Sequence, residues 1–237
     1  MTASPIASAP DGKGDDPLAA RPARLLKRVL DLTLATCGLI AAAPVVVLIA
    51  VLVRVNMGSP VIFRQQRPGL HGRPFTLVKF RTMRDETPAA DGEFRVSRMR
   101  VTRVGSILRK TSLDELPELW NVLRGDMSIV GPRPLLMEYL DFYSDEQTRR
   151  HDVLPGMTGW AQIHGRREVQ MQERLALDVW YVDHWSLRLD ARIMLATIGQ
   201  IVRGHNAEPS RTMAVADLGW EDRDPISSDD TASEGDR

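Results

Sequence analysis

Residues 32–53, LTLATCGLIAAAPVVVLIAVLV, carry no charged side chain, and no other property of the chain restricts its fold as much. As one straight helix rising about 1.5 Å per residue, the stretch would reach roughly 33 Å, enough to cross a hydrocarbon layer about 30 Å thick. Two features resist a simple crossing. Pro44 stands near the middle, where a residue without an N–H removes a hydrogen bond and kinks or breaks a helix. Basic residues also flank both ends: Arg21, Arg24, Lys27 and Arg28 before, Arg54, Arg64 and Arg67 after. A span with a fixed orientation shows a basic excess on one side. Halves of about a dozen residues would each reach only roughly 18 Å, so such a segment would dip in, bend at Pro44 and return. From the residues alone, a kinked span and this re-entrant helix both stand.

The flanks are simpler. Residues 1–25 are rich in Pro, Ala, Gly and Asp, and residues 207–237 are acidic and Ser-rich; both lack apolar periodicity and read as disordered tails. The first tail does not fit a secretory signal, because the apolar segment starts too late and lacks a small-residue cleavage pattern. Lys+Arg and Asp+Glu are 31 each, a balance that argues against a nucleic-acid partner. Cys37 is the single cysteine, so no disulfide framework exists and a reducing compartment fits. The histidines are scattered, and no Cys/His cluster has zinc spacing.

After a membrane helix over 26–56, residues 57–206 read as one soluble domain. PVIFRQQRPGLHGRPFTLVKF predicts a β-hairpin, with Val61–Phe63 opening one strand, a turn from Pro68 to Gly72, and Phe75–Phe80 returning. Alternation puts Lys79 and Arg81 on one face and Val78 and Phe80 on the other, and the residues alone make the Lys79 face a solvated one. Amphipathic helices are expected over 101–108, 173–185 and 187–202, the aromatics Trp180, Tyr181 and Trp185 serving as core. Turn-rich loops are expected over 125–136 and 154–166. The fold class is α+β and mainly helical: a re-entrant or spanning helix, a small hairpin and amphipathic helices suited to a membrane interface.

TSLDELPELWNVL, residues 111–123, places Asp114 and Glu115 before the apolar stripe Leu116, Leu119, Trp120 and Leu123. Ser112 and Glu115 have capping-box spacing, a purely structural reading. Pro117 would then fall beyond the first turn, so it moves the expected helix start to Asp114, itself a good N-cap. A carboxylate at that end stays ionised, and the same position attracts phosphate. An ionised Asp beside phosphate is a candidate nucleophile, and a second acid beside it can hold a divalent metal. Arg133 stands between Pro132 and Pro134, which fix the backbone and aim its guanidinium, as suits a phosphate or carboxylate.

The motifs KRVLDL before a Pro-interrupted apolar segment, SPVIFRQQRPGLHGRPFTLVKFRTM, LRKTSLDELPELWNVLRGDMSIVGPRPLL, PGMTGWAQIHGR and LDVWYVDHWSLRLDARIM follow one another in this order. In that order the chain resembles the bacterial sugar transferase family, the small monotopic phosphoglycosyl transferases, over Lys27 to Gly204. The resemblance implies a membrane helix that re-enters at Pro44, on the cytoplasmic face of the bacterial inner membrane. It implies transfer of a phosphosugar from a UDP-sugar to polyprenyl (undecaprenyl) phosphate, the first membrane step of glycan assembly. Asp114 would attack the sugar-linked phosphorus and expel UMP, leaving an aspartyl phosphosugar that the lipid phosphate then takes. Glu115 would hold Mg²⁺. Arg109 and Arg133, and with less support Lys79, would bind phosphates, and Asp178 would support the site. Two other classes remain to be separated by assay: a membrane-anchored interaction protein, and a hydrolase using water in place of lipid. The sugar is left open.

Overall fold

The structure, a computed structural model, describes residues 20–84, 101–164 and 171–202. Most of both predicted tails, and Arg166 at the end of the second expected loop, lie outside the described residues.

Helix α1, Ala20–Met57, continues through Pro44 as one element, so the break expected there does not divide it in two. It ends where Gly58 takes a left-handed conformation (φ 77°) and donates its N–H to the Arg54 carbonyl at 3.1 Å, a termination open to glycine at no steric cost. Only one stripe of α1 is covered. Asp31, Ala35, Ile49, Val53 and Met57 are buried, with Leu39 and Val46 partly so between them. The opposite faces expose Ile40, Val47, Leu48, Val51 and Val55. That apolar surface suits lipid, and α1 is long and apolar enough to cross a membrane. Both halves of the stripe nevertheless meet the same domain. Ala35 and Leu39 join the cluster of Phe75, Leu77, Leu119, Val122 and Met127, whereas Ile49, Val53 and Met57 join that of Phe80 and Leu108.

The hairpin forms as expected: β1 (Ile62–Pro68) pairs antiparallel with β2 (Pro74–Phe80), Ile62 opposite Phe80 and Pro68 opposite Pro74. The alternation on β2 holds, but its faces are not as expected. Phe75 and Leu77 are buried on the side that carries Lys79, because α3 (Glu118–Arg124) covers that face, so the Lys79 side is not solvated. Asn121 of α3 docks the two elements. Its side-chain carbonyl accepts from Val78 N–H at 3.1 Å and its amide donates to the Thr76 carbonyl at 2.8 Å, so it satisfies the free edge of β2.

Helix α2 is Arg103–Lys110, two residues later than expected, because Thr102 Oγ1 accepts from Gly105 N–H at 2.9 Å and fixes the start. The two expected loops instead contain a parallel pair, β3 (Ser128–Val130) with β4 (Gly156–Thr158). Three-residue strands carry no readable periodicity. Gly131, Gly156 and Gly159 are the reason the pair can close. A methyl group on any of them would meet backbone of the facing segment. Short α4 (Asp145–Thr148) and α5 (Trp160–His164) lead to α6 (Met171–Asp183) and α7 (Leu187–Val202). Tyr181 is core as expected; Trp180 is partly exposed and stacks between Trp160 and His184.

Candidate active site

The chain reverses sharply after α2. Ser112 lies in the left-handed region (φ 55°), uncommon for a residue with a side chain, and its carbonyl accepts from Glu115 N–H at 3.2 Å. Leu113–Glu115 then form a single 3-10 turn, and α3 begins only at Glu118, immediately after Pro117. Both sequence readings of a cap are therefore corrected. Ser112 makes no side-chain capping bond, and Asp114 lies inside the turn before the helix. Pro117 sets the boundary, since its missing N–H falls where α3 needs none. The turn leaves Asp114 buried, at 8% exposure, without a capping task.

A third acid, Glu118, joins the pair as the first residue of α3 and is buried at 3% exposure. The sequence reading did not single it out. Cations are distributed over the three carboxylates. Arg133 donates through Nη2 to Oε1 of Glu115. Lys79 Nζ lies 3.7 Å from Oε1 of Glu118. Arg109 donates to Thr82 Oγ1 at 2.9 Å and, with Lys79, acts on the charge of Asp114. Among the described residues, no cation forms an ion pair with Asp114 itself. Arg67, also missed, bears on this field: burial lowers its pKa and Arg133 lowers it further. Its position in the strand-end sequence QQRPG gave no signal beyond its charge.

The three acids are tuned apart. Burial pushes the Asp114 carboxyl up from its ordinary value and Glu115 adds to the rise, against the pull of Lys79 and Arg109. A backbone hydrogen bond also lowers it, and Asp114 does not stand at the start of α3, which corrects the expected cause of ionisation. Burial also opposes the charge on Glu115, but the field and hydrogen bond of Arg133 hold it below the usual carboxylate range. Glu118 is pushed up to about 8 by burial and by Glu115. Lys79 is too distant for a hydrogen bond to it and does not reverse that rise.

Arg133 is aimed by more than its two prolines. Gly156 N–H donates to the Pro132 carbonyl at 2.9 Å, and Arg150 Nη2 donates to the Arg133 carbonyl at 2.7 Å. Arg150, with 1% of its side chain exposed, is in turn held by Asp178 Oδ2 at 2.6 Å and donates to Tyr143 Oη at 3.3 Å. Asp178 is thus buried one layer behind the site, and its link to the site runs through Arg150 and the backbone of Arg133. The structure brings together Asp114, Glu115, Lys79, Arg109 and Arg133, and sets Asp178 beneath them.

The donor set bears on Mg²⁺. Among the described residues no three His, Cys, Asp or Glu side chains converge on one point. Glu115 spends Oε1 on Arg133, which leaves Oε2. Mg²⁺ is commonly held by one or two carboxylates together with substrate phosphates and waters, so the site fits an ion that binds with a diphosphate.

Comparison with known proteins gives a consistent result. Residues 22–204 match the model of the bacterial sugar transferase family. The uncharacterized sugar transferase EpsL of Bacillus subtilis is 51% identical over 75% of this chain and 88% of its own length. A UDP-glucose:undecaprenyl-phosphate glucose-1-phosphate transferase of Caulobacter vibrioides is 43% identical over 77% of this chain and 72% of its own. An undecaprenyl-phosphate galactose phosphotransferase of Salmonella typhimurium is 39% identical over 80% of this chain but only 43% of its own length.

Proposed function

Because the chain belongs to the bacterial sugar transferase family, we propose that it is the phosphoglycosyl transferase that moves a sugar phosphate from a UDP-sugar to polyprenyl phosphate. The observation that carries the mechanistic part is the division of labour in residues 114–118. Glu115 is paired with Arg133 and Glu118 lies 3.7 Å from Lys79, whereas Asp114 is left without an ion pair among the described residues. The relatives' names supply glucose and galactose as first candidates for the sugar.

In this reading a carboxylate oxygen of Asp114 attacks the sugar-linked phosphorus of the UDP-sugar. The bond from that phosphorus to the bridging oxygen breaks, and UMP leaves with the electron pair. An oxygen of the lipid phosphate then attacks the same phosphorus, and Asp114 departs as a carboxylate. The products are UMP and a polyprenyl diphosphate sugar, and no net proton is required. Two anionic partners must meet at one phosphorus, so Lys79, Arg109 and Arg133 lower their mutual repulsion. Mg²⁺ held by Glu115 would neutralise charge on the diphosphate oxygens and orient them.

Membrane placement follows from α1. A globular domain lies on one side of a bilayer, yet residues from both halves of α1 pack into that one domain. This supports entry and return on the same face, with Pro44 inside lipid; in this reading the domain sits at the cytoplasmic face of the inner membrane, where nucleotide sugars are found. Multiple-turnover release of UMP that requires both a UDP-sugar and polyprenyl phosphate, with at most one equivalent per enzyme released by UDP-sugar alone, tests the reaction. Continued turnover with water in place of the lipid indicates a hydrolase, and no release from any UDP-sugar indicates an interaction protein.

A further inference from the structure

The first turns of α1 do more than enter the membrane. Arg28 donates to the carbonyls of Val122 at 2.8 Å and Leu123 at 3.1 Å, which satisfies the C-terminal end of α3. One turn later, Asp31 accepts from Ser128 Oγ at 2.8 Å and from Ile129 N–H at 3.0 Å, both on β3. Lys27 Nζ donates to the Val130 carbonyl at 3.0 Å and to Asp190 Oδ2 at 2.7 Å. Asp190 also accepts from Tyr181 Oη at 2.7 Å and Trp185 Nε1 at 3.2 Å. Lys27 and Asp190 have side chains only 16% and 7% exposed, so this lysine is committed inside the protein and is not free to bind headgroups.

These contacts meet at the site from two sides. Helix α3 follows directly from the turn that carries Asp114 and Glu115, and β3 leads within three residues to Arg133. The Glu115–Arg133 ion pair bridges the two arms. One turn of α1 therefore closes a ring: α1 to α3, across the ion pair to the β3 loop, and back to α1.

We infer that Lys27, Arg28 and Asp31 are positioning residues for the transferase site, setting the separation of the acid turn and the Arg133 loop from the base of the membrane helix. This rests on the transferase reading above. The rival explanation is that the basic pair only holds the protein on anionic lipid. Asp31 separates the two, since removing an acid cannot weaken attraction to an anionic surface.

The test uses the full chain on vesicles of phosphatidylethanolamine and phosphatidylglycerol. Asp31→Asn, Ser128→Ala and the double variant are compared for vesicle sedimentation, UMP release, and hydrogen exchange of the 128–133 backbone against that of 171–202. Displacement of catalytic groups by about 1 Å can cost about 100-fold in rate. The inference predicts at least about a 10-fold fall in kcat for Asp31→Asn, with little change in KM and with sedimentation intact. It also predicts faster exchange confined to 128–133, and a double variant less impaired than the two single losses multiplied. Unchanged kcat in Asp31→Asn, or independent losses in the cycle, would overturn it. Should Asp31→Asn unfold, shown by faster exchange over 171–202 as well, Arg28→Lys decides by the same criteria. A wild-type chain that releases no UMP would defeat the transferase reading, and exchange at 128–133 then decides the coupling alone.

Discussion

Arg133 reaches across 18 residues of sequence to pair with Glu115, and its own carbonyl is held from behind by Arg150 at 2.7 Å. The side chain faces the acids while the backbone is bolted to the core, so charge and placement can be separated by mutation. Arg133→Lys keeps the charge and loses the planar fork. A charge-assisted hydrogen bond contributes about 1.5–3 kcal/mol, so UMP release should fall by about 10- to 100-fold. The melting temperature should hardly move, because the Gly156 and Arg150 bonds to residues 132 and 133 involve backbone only on this side. Unchanged kinetics would remove Arg133 from the site.

Glu118 gives a pH test. Its value in the fold, about 8, stands above the ordinary 4.5, so the folded chain binds the extra proton between those values. Stability from this group is therefore greatest below about pH 4.5 and is lost as pH rises toward about 8. Glu118→Gln resembles the neutral form and escapes the loss. Its melting temperature relative to wild type should climb between about pH 5 and about pH 8.5. A difference that stays flat would mean that Lys79 keeps Glu118 ionised throughout.

Asp178 and Arg150 form a buried pair, and removing one partner strands the other. Asp178→Asn should cost about 3 kcal/mol in chemical denaturation, in line with broken buried ion pairs. Its KM for the UDP-sugar should shift less than that of Arg133→Lys, because Asp178 acts through Arg150. A large KM change at unaltered stability would return Asp178 to direct substrate contact.

Much of this was legible because α1, the hairpin, α6 and α7 are long enough for periodicity to show. Asp114 and Glu115 were found by chemistry and order of motifs, and Arg133 by its flanking prolines. The acid turn was misread as a cap because capping boxes and active-site acids share the same residue types and spacing. Glu118, Asn121 and Arg150 were invisible for another reason: each acquires its role from a partner at least 15 residues away, Lys79, Val78 or Asp178, and no local pattern records that. Lys27 and Arg28 were read as flanking charges for membrane orientation, whereas the structure uses both to tie α1 to α3, β3 and α7.

The proposed re-entrant topology rests on the packing of both halves of α1 and not on those charges. With Cys37 replaced by Ala so that each variant carries one thiol, single cysteines at Ala20 and Gly58 should be labelled from the same side of sealed vesicles by an impermeant reagent. Labelling from opposite sides would make α1 a span.

The covalent role of Asp114 is the central claim, and the half-reaction isolates it. Asp114→Asn keeps size and loses the charge and nucleophilicity of the carboxylate. With UDP-sugar and Mg²⁺ but no lipid acceptor, intact-protein and peptide mass spectrometry should show a phosphosugar on the peptide containing Asp114 in the wild type. The adduct should disappear when polyprenyl phosphate is added, and it should be absent from Asp114→Asn, whose melting temperature should remain close to wild type. An Asp114→Asn protein that still turns over, verified free of reversion to Asp by deamidation, would contradict the covalent mechanism.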